Sequence, residues 1–384
     1  MNGVTLKDIK LICSQCERNY PAINPIWRCM CGGLLDIEMD IQFPIDLIQK
    51  RPQTMWRYRE ALPIGHDDNI ISFSEGYTPI IPIEFEGKTV GIKQDHLFQT
   101  GSYKDRGASV LISLTKEIGV SHVVEDSSGN AGCAIAAYCA RAKIDCDIYV
   151  PANTSPAKMA QITEYGANLH LIPGSRKNTA HAVLKAARTT YYASHSWNPF
   201  FFQGTKTFAY EIWEQNNWQA PEAVILPAGN GTLILGVWIG FNDLRKAGHI
   251  STIPRIFAVQ SKNCAPLFEA HNQNVAEPSK VRSLPTLAEG IAIAEPIRGK
   301  QILQAVRVSN GTFVTVMEDQ IQSAMLEMHH QGFYIEPTAA ATIAAIPDLV
   351  RSHPEIDHWF SVFTGHGLKS TEKILAIQEH LSNE

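Results

Sequence analysis

The chain has 384 residues, 45% of them hydrophobic, and a formal net charge of −5. That length predicts two domains or slightly more, with an ordinary packed core. The mild acidity excludes the basic footprint of a nucleic-acid or anionic-membrane binder, and no apolar stretch reaches the roughly 18 residues that span a bilayer. No nucleic-acid or membrane partner is expected. Residues 1–10 lack the apolar run of a signal peptide, so a cytoplasmic location is expected.

In chain order, residues 1–40 read as a small separate module. Cys13-x-x-Cys16 and Cys29-x-Cys31 flank a segment holding Pro21, Pro25 and Trp27. Two thiolate pairs on facing turns suit tetrahedral Zn²⁺, and so small a module has little core without a staple. The competing reading is a ribbon that has lost its metal. In either case the role is structural, because four thiolates leave no open coordination position. The other cysteines, Cys133, Cys139, Cys146 and Cys264, lie in apolar surroundings and read as small buried hydrophobes. Residues 41–100 are expected to be a linker, rich in Pro and charge up to about residue 70, and the start of a large domain. A small α/β domain at 101–200 and a large one at 201–384 are expected to follow.

From about residue 70 strands and helices alternate. A short strand at Gly91–Lys93 precedes a helix that starts around Lys104 and stops at Gly119. Ser102 is expected to be its N-cap. Then come strand His122–Glu125, helix Ala131–Arg141, strand Cys146–Val150, helix Pro156–Tyr165, strand Leu169–Ile172 and helix Asn178–Arg188. Helix Lys206–Asn216, strand Ala223–Leu226, helix Leu233–Lys246 and strand Ile256–Val259 follow. The end holds strand Phe313–Val316, helices Asp319–His330 and Thr338–Leu349, strand Trp359–Phe363 and helix Lys369–Glu379. The alternation predicts an α/β fold with two parallel-sheet domains, with ligands beyond the strand C-termini.

Four stretches carry candidate chemistry. Lys104 lies in the first helical turn of Ser102-Tyr103-Lys104-Asp105-Arg106-Gly107. Alone it is an ordinary solvated lysine. The loop Asp126-Ser127-Ser128-Gly129-Asn130-Ala131-Gly132 offers hydroxyls, an amide and helix-start N–H groups to a carboxylate. Alone it is a turn and cap. The loop Gly229-Asn230-Gly231-Thr232 follows a strand and opens a helix, so it suits a small phosphate group. It lacks the Gly-Lys-Ser/Thr ending of a nucleotide P-loop. Thr364-Gly365-His366-Gly367-Leu368-Lys369 presents a hydroxyl at a strand end, and His366 alone reads as structural. Together a lysine, two anion cradles and a hydroxyl match the needs of pyridoxal phosphate chemistry.

These stretches resemble the fold-type II pyridoxal-phosphate enzymes (tryptophan synthase β-like), and within them the threonine synthase family. The family's Ser-Phe-Lys-Asp-Arg-Gly is similar to residues 102–107, its Ser-x-Gly-Asn-x-Gly to residues 127–132, and its glycine-rich phosphate loop to residues 229–232. Its Thr-Gly-His-Gly-Leu-Lys stands unchanged at Thr364–Lys369. An N-terminal cysteine ribbon also occurs in some members. The resemblance covers essentially the whole chain.

It implies that Lys104 forms the Schiff base with pyridoxal 5′-phosphate and moves protons at Cα and Cβ. Asn130 would hydrogen-bond the ring hydroxyl. Gly229, Asn230, Gly231 and Thr232 would bind the phosphate, and Thr364 would face the pyridine nitrogen. Ser127, Ser128, Gly129 and Ala131 would meet the substrate carboxylate, and His195 and Ser196 the rest of the substrate. It also implies a homodimer.

The pattern breaks in two stretches. The family stretch Asn-Ser-x-Asn-Pro-x-Arg reads His195-Ser196-Trp197-Asn198-Pro199-Phe200-Phe201 here, so its Arg is Phe201. Ala131 also stands where many members have Thr. A bidentate contact to a dianion is thereby lost, unless His195⁺, Arg106, Lys158 or Lys206 replaces it. The leading expectation is conversion of O-phosphohomoserine and water to threonine and phosphate. The runner-up is β-elimination or β-replacement on a serine-like amino acid, as in dehydratases or cysteate-synthase-like relatives. A third is a metal-dependent scaffold on a dead enzyme core, which an intact Lys104 opposes.

Overall fold

The computed structural model describes residues 6–382. The chain forms two compact units, each discontinuous in sequence: one runs up to Tyr77 and adds Lys104–Thr207, the other joins Thr78–Tyr103 to the segment from Phe208 onward.

In the first unit a four-stranded sheet runs in the order Asn168–Ile172, Asp145–Pro151, His122–Glu125, Tyr191–Tyr192. All its pairings are parallel. The helix Lys104–Glu117 is buried from Asp105 to Thr115 and has no solvated face over that span. Such a helix needs its polar groups satisfied internally. Ser109 Oγ bonds Glu75 Oε1 (2.5 Å) and Ile71 O (2.8 Å), and Ser113 and Thr115 bond the carbonyls of Ser109 and Leu111. An antiparallel sheet at the N-terminus orders Asn19–Pro21, Lys10–Cys13 and Leu35–Glu38. Leu11, Leu35, Val123, Ile135 and Ile148 belong to one buried cluster with it.

In the second unit a six-stranded sheet runs Thr312–Val316, Arg255–Ser261, Ala223–Pro227, Trp359–Val362, Lys88–Lys93, Ile80–Phe85. Every pairing is parallel except the last. Ala223–Pro227 is buried at all five positions, as a central parallel strand covered on both faces requires. The α/β class and its parallel sheets are as expected from the alternation.

Several elements differ from the sequence reading, each for a physical reason. Strand Ile80–Phe85 contains Pro82 and is an antiparallel edge strand, where a missing N–H is tolerated. Helix Pro199–Thr205 is buried at every residue, so it shows no polar face to betray it. Helices Pro266–Asn272 and Gly299–Val308 were not anticipated. The single helix expected at Thr338–Leu349 is two, Pro337–Ala344 and Ile346–Ser352, with Pro347 in the first turn of the second. The last helix begins at Thr371, after a 3₁₀ turn at Gly367–Ser370.

Candidate active site

In the first unit the candidate residues gather at the C-terminal ends of the parallel strands. Lys104 opens the Lys104–Glu117 helix. Its Nζ lies 6.0 Å from the centre of the Phe201 ring. Phe201 is fully buried, and a Cβ placed on Gly107 would strike its ring at 2.3 Å. Glycine at 107 is therefore what lets Phe201 lie against the Lys104 helix. The Phe201 and His195 rings meet edge-on at 6.1 Å.

The loop after strand His122–Glu125 is closed tightly. Ser127 Oγ accepts from the Gly129 N–H at 3.3 Å, and Gly129 caps the helix Asn130–Ala142. A Cβ at Gly132 would lie 1.9 Å from the Ser127 carbonyl oxygen. Ser127, Ser128, Gly129, Asn130 and Ala131 thus share one short turn at a helix N-terminus, a geometry suited to an anion.

His195 and Ser196 follow strand Tyr191–Tyr192, the neighbour of His122–Glu125. His195 is buried, and its Nδ1 lies 2.7 Å from Glu125 Oε1. Burial, then the nearby Lys104 charge, hold the imidazole down to about 3. Burial also pushes the Glu125 carboxyl well above the carboxylate range. With no anion bound, His195 is therefore held neutral. Among the other candidates, Arg106 is buried and donates to Thr207 Oγ1 at 3.0 Å. Lys206 is also buried, and the Lys158 side chain lies outside the described residues.

In the second unit Gly229, Asn230, Gly231 and Thr232 link strand Ala223–Pro227 to helix Thr232–Lys246. Gly231 has φ +71°, and a Cβ there would meet Ile302 at 2.2 Å. Thr232 Oγ1 bonds the Tyr103 hydroxyl at 2.7 Å. Tyr103 N–H donates to the Thr364 carbonyl at 3.0 Å, and Ser102 bridges to Gly365. Ser102 is thus part of a strand bridge and not the helix cap. The hydroxyls of Ser102 and Thr364 are both buried with no hydrogen-bond partner among the described residues. Gly365 is pinned against the Glu336 carboxyl, where a Cβ would sit 2.2 Å away. His366 stacks on His96 at 5.7 Å. The sequence reading passed over Glu125, Tyr103 and His96. Only Glu125 had a local signal, an acid at a strand end before a polar loop.

The sulfurs of Cys13, Cys16, Cys29 and Cys31 lie within 4.8 Å of one another. The Cys13–Cys31 and Cys16–Cys29 pairs are each at 3.5 Å. A tetrahedral Zn–S₄ centre has S–S edges of about 3.8 Å, so the spacing fits such an ion. The Tyr20 hydroxyl, 3.1 Å from Cys29 Sγ, lowers that thiol to about 6.

A family profile described as "Pyridoxal-phosphate dependent enzyme" matches residues 71–365. The chain is similar to "Threonine synthase" of Methanocaldococcus jannaschii, 32% identical over 96% of this chain and 94% of that one. It is also similar to "Threonine synthase" of Synechocystis sp., 31% identical over 82% of each. Among solved structures, threonine deaminase isoform 2 from Solanum lycopersicum superimposes with a TM-score of 0.68 at 20% identity, covering 94% of both chains. Maize serine racemase gives 0.67 at 21% identity, over 80% of this chain and 93% of its own. At these identities the structural matches establish the fold alone.

Proposed function

Because the chain belongs to the pyridoxal-phosphate dependent enzyme family, we propose that it is a lyase of the threonine synthase type, converting O-phosphohomoserine and water to threonine and phosphate. The observation that carries the reading is similarity to threonine synthases over nearly the whole chain. The cofactor fits the residues present. The buried Thr364 hydroxyl, without a partner among the described residues, suits a ring nitrogen. The Gly229 and Gly231 turn has no room for side chains and opens the helix Thr232–Lys246, whose first N–H groups suit a phosphate.

When bound, the cofactor supplies the electron sink that stabilises charge at the substrate's Cα. Lys104 Nζ anchors it and moves protons at Cα and Cβ of the substrate. Asn130 orients the ring through its amide. Gly229, Asn230, Gly231 and Thr232 hold the phosphate, the Tyr103–Thr232 hydrogen bond fixing the Thr232 hydroxyl. Thr364 would meet the ring nitrogen with a neutral hydroxyl, which would not force a proton onto it. Ser127, Ser128, Gly129 and Ala131 receive the substrate carboxylate, and His195 and Ser196 meet its side chain. Cys13, Cys16, Cys29 and Cys31 bind one structural zinc ion, which metal analysis of the purified protein tests. The working form is a cytoplasmic homodimer, which light scattering tests for its oligomeric part.

The functional test is Lys104→Ala. The variant is expected to lose phosphate release from O-phosphohomoserine, and borohydride is expected to fix the cofactor to the Lys104 peptide of the wild type. Cofactor fixed to another lysine would overturn the assignment. The second reading, β-chemistry on a serine-like amino acid, is favoured by one observation. Phe201, at the place of a family Arg, is buried against Gly107 and offers no charge.

A further inference from the structure

Glu125 and His195 are a buried titratable pair, and the chemistry above gives Glu125 no part. Both sit at C-terminal ends of neighbouring parallel strands, where ligands meet such sheets. Glu125 is 0% exposed and His195 6%. Their side chains meet at Oε1 and Nδ1, 2.7 Å apart, while Glu125 Oε2 has no hydrogen-bond partner among the described residues. A carboxylate so placed would be a poorly solvated buried charge. The economical state is one shared proton: the Glu125 hydroxyl donates to Nδ1, and the imidazole hydrogen is then on Nε2, directed away from the carboxyl.

The surroundings keep the pair neutral until a counter-charge arrives. Lys104 and Arg176 disfavour a charged His195, while Asp126 favours it. Asp126 also disfavours a charged Glu125, against weaker help from Arg176 and the backbone amides of Asp126 and His195. Asp126 is itself engaged, accepting from Tyr192 Oη at 2.6 Å and lying 3.6 Å from Arg176. Cys146, by its hydrogen bond with Cys139 and then by burial, and Tyr192, by burial, are held protonated, and both also feel these carboxyls.

We propose that Glu125 and His195 form a chargeable receptor for the substrate's phosphate group, neutral when alone and an ion pair when the anion is bound. The proposal rests on the reading that the substrate carries such a phosphate. As the anion meets Nε2–H, the Glu125 proton passes to Nδ1. The O–H bond of the carboxyl breaks, an N–H bond forms, and the pair becomes Glu125⁻ and His195⁺ with no proton gained or lost. The anion then meets a cation at its own end, and the carboxylate balances that charge behind it. Such a device supplies a charge-assisted hydrogen bond without burying a lone cation beside Lys104.

Infrared difference spectroscopy on the cofactor-loaded full chain tests it. A protonated-carboxyl band that is absent from Glu125→Gln should disappear when inorganic phosphate or O-phosphohomoserine is added. It should remain when threonine, which lacks a phosphate, is added. The amide of Glu125→Gln still donates to Nδ1 but has no proton to hand over, so its affinity for inorganic phosphate should fall at least about tenfold. A band that survives saturating phosphate overturns the proposal, as does one that threonine also removes, the absence of any band assignable to Glu125, or full phosphate affinity in Glu125→Gln. If phosphate discharges the band but O-phosphohomoserine is not turned over, the receptor stands and the reaction reading fails.

Discussion

Gly132→Ala places the smallest side chain against a tight point of the loop Ser127–Gly132. Its Cβ would lie 1.9 Å from the Ser127 carbonyl oxygen and 2.9 Å from the carbonyl carbon, with Ile162 Cδ1 at 3.3 Å. Real contacts of this kind are essentially never under 3.0 Å, so the Ser127 peptide must retreat by more than 1 Å. Alanine gains about 1 kcal/mol of helix propensity at best, because Gly132 lies in the helix Asn130–Ala142. Overpacking costs about 1–3 kcal/mol, and because the obstructing atoms are backbone and cannot rotate aside the cost here lies at the upper end, about 2–3 kcal/mol. We therefore expect a net loss of about 1–2 kcal/mol, a fall in Tm of about 2–8 °C for a unit of this size. The displaced Ser127–Gly129 turn should cost about 10²-fold in kcat/KM. Thermal unfolding and steady-state turnover of O-phosphohomoserine measure both. A variant that melts with the wild type and keeps its kcat/KM would refute the reasoning.

Two further predictions concern the second unit. Lys93 and Glu211 form a fully buried ion pair at 2.8 Å, with Lys93 also donating to Thr78 O and Gln215 Oε1. Lys93→Met strands the carboxylate and should cost about 3–5 kcal/mol by urea unfolding, and adding Glu211→Leu should restore most of it; a single variant as stable as the wild type contradicts this. His96 is held down to about 4 from its ordinary 6.5 by burial and by neighbouring His366. Between those values the unfolded chain binds the extra proton, so this contribution is complete above about pH 6.5 and is lost as pH falls toward 4. His96→Asn should flatten that slope in denaturant midpoints at pH 7 and 5, and an unchanged slope would exclude His96 as its source.

What the sequence revealed was the part governed by local pattern. Continuous apolar runs such as Ala223–Leu226 and the glycine-bearing loops after strands located the parallel sheets and the loops at their strand ends. Pro82 hid an edge strand, because the penalty on proline depends on which side of the strand is paired. Pro199–Thr205 hid a helix, because burial on every face removes the amphipathic signal. The division of the chain rests on long-range pairing, such as Lys88–Lys93 with Trp359–Val362, which no local pattern encodes. The charge state of His195 was equally illegible. The charge of a buried histidine depends on its neighbour, and that neighbour, Glu125, is 70 residues away.

The most direct test sets substrates side by side. The cofactor-loaded protein is given O-phosphohomoserine in one reaction and serine in another, with phosphate, threonine and 2-oxo acid measured in both. Phosphate and threonine released in equal amounts from O-phosphohomoserine, with little product from serine, is the predicted result. A 2-oxo acid from serine without phosphate release from O-phosphohomoserine would contradict the threonine synthase reading and leave a lyase of serine-like substrates.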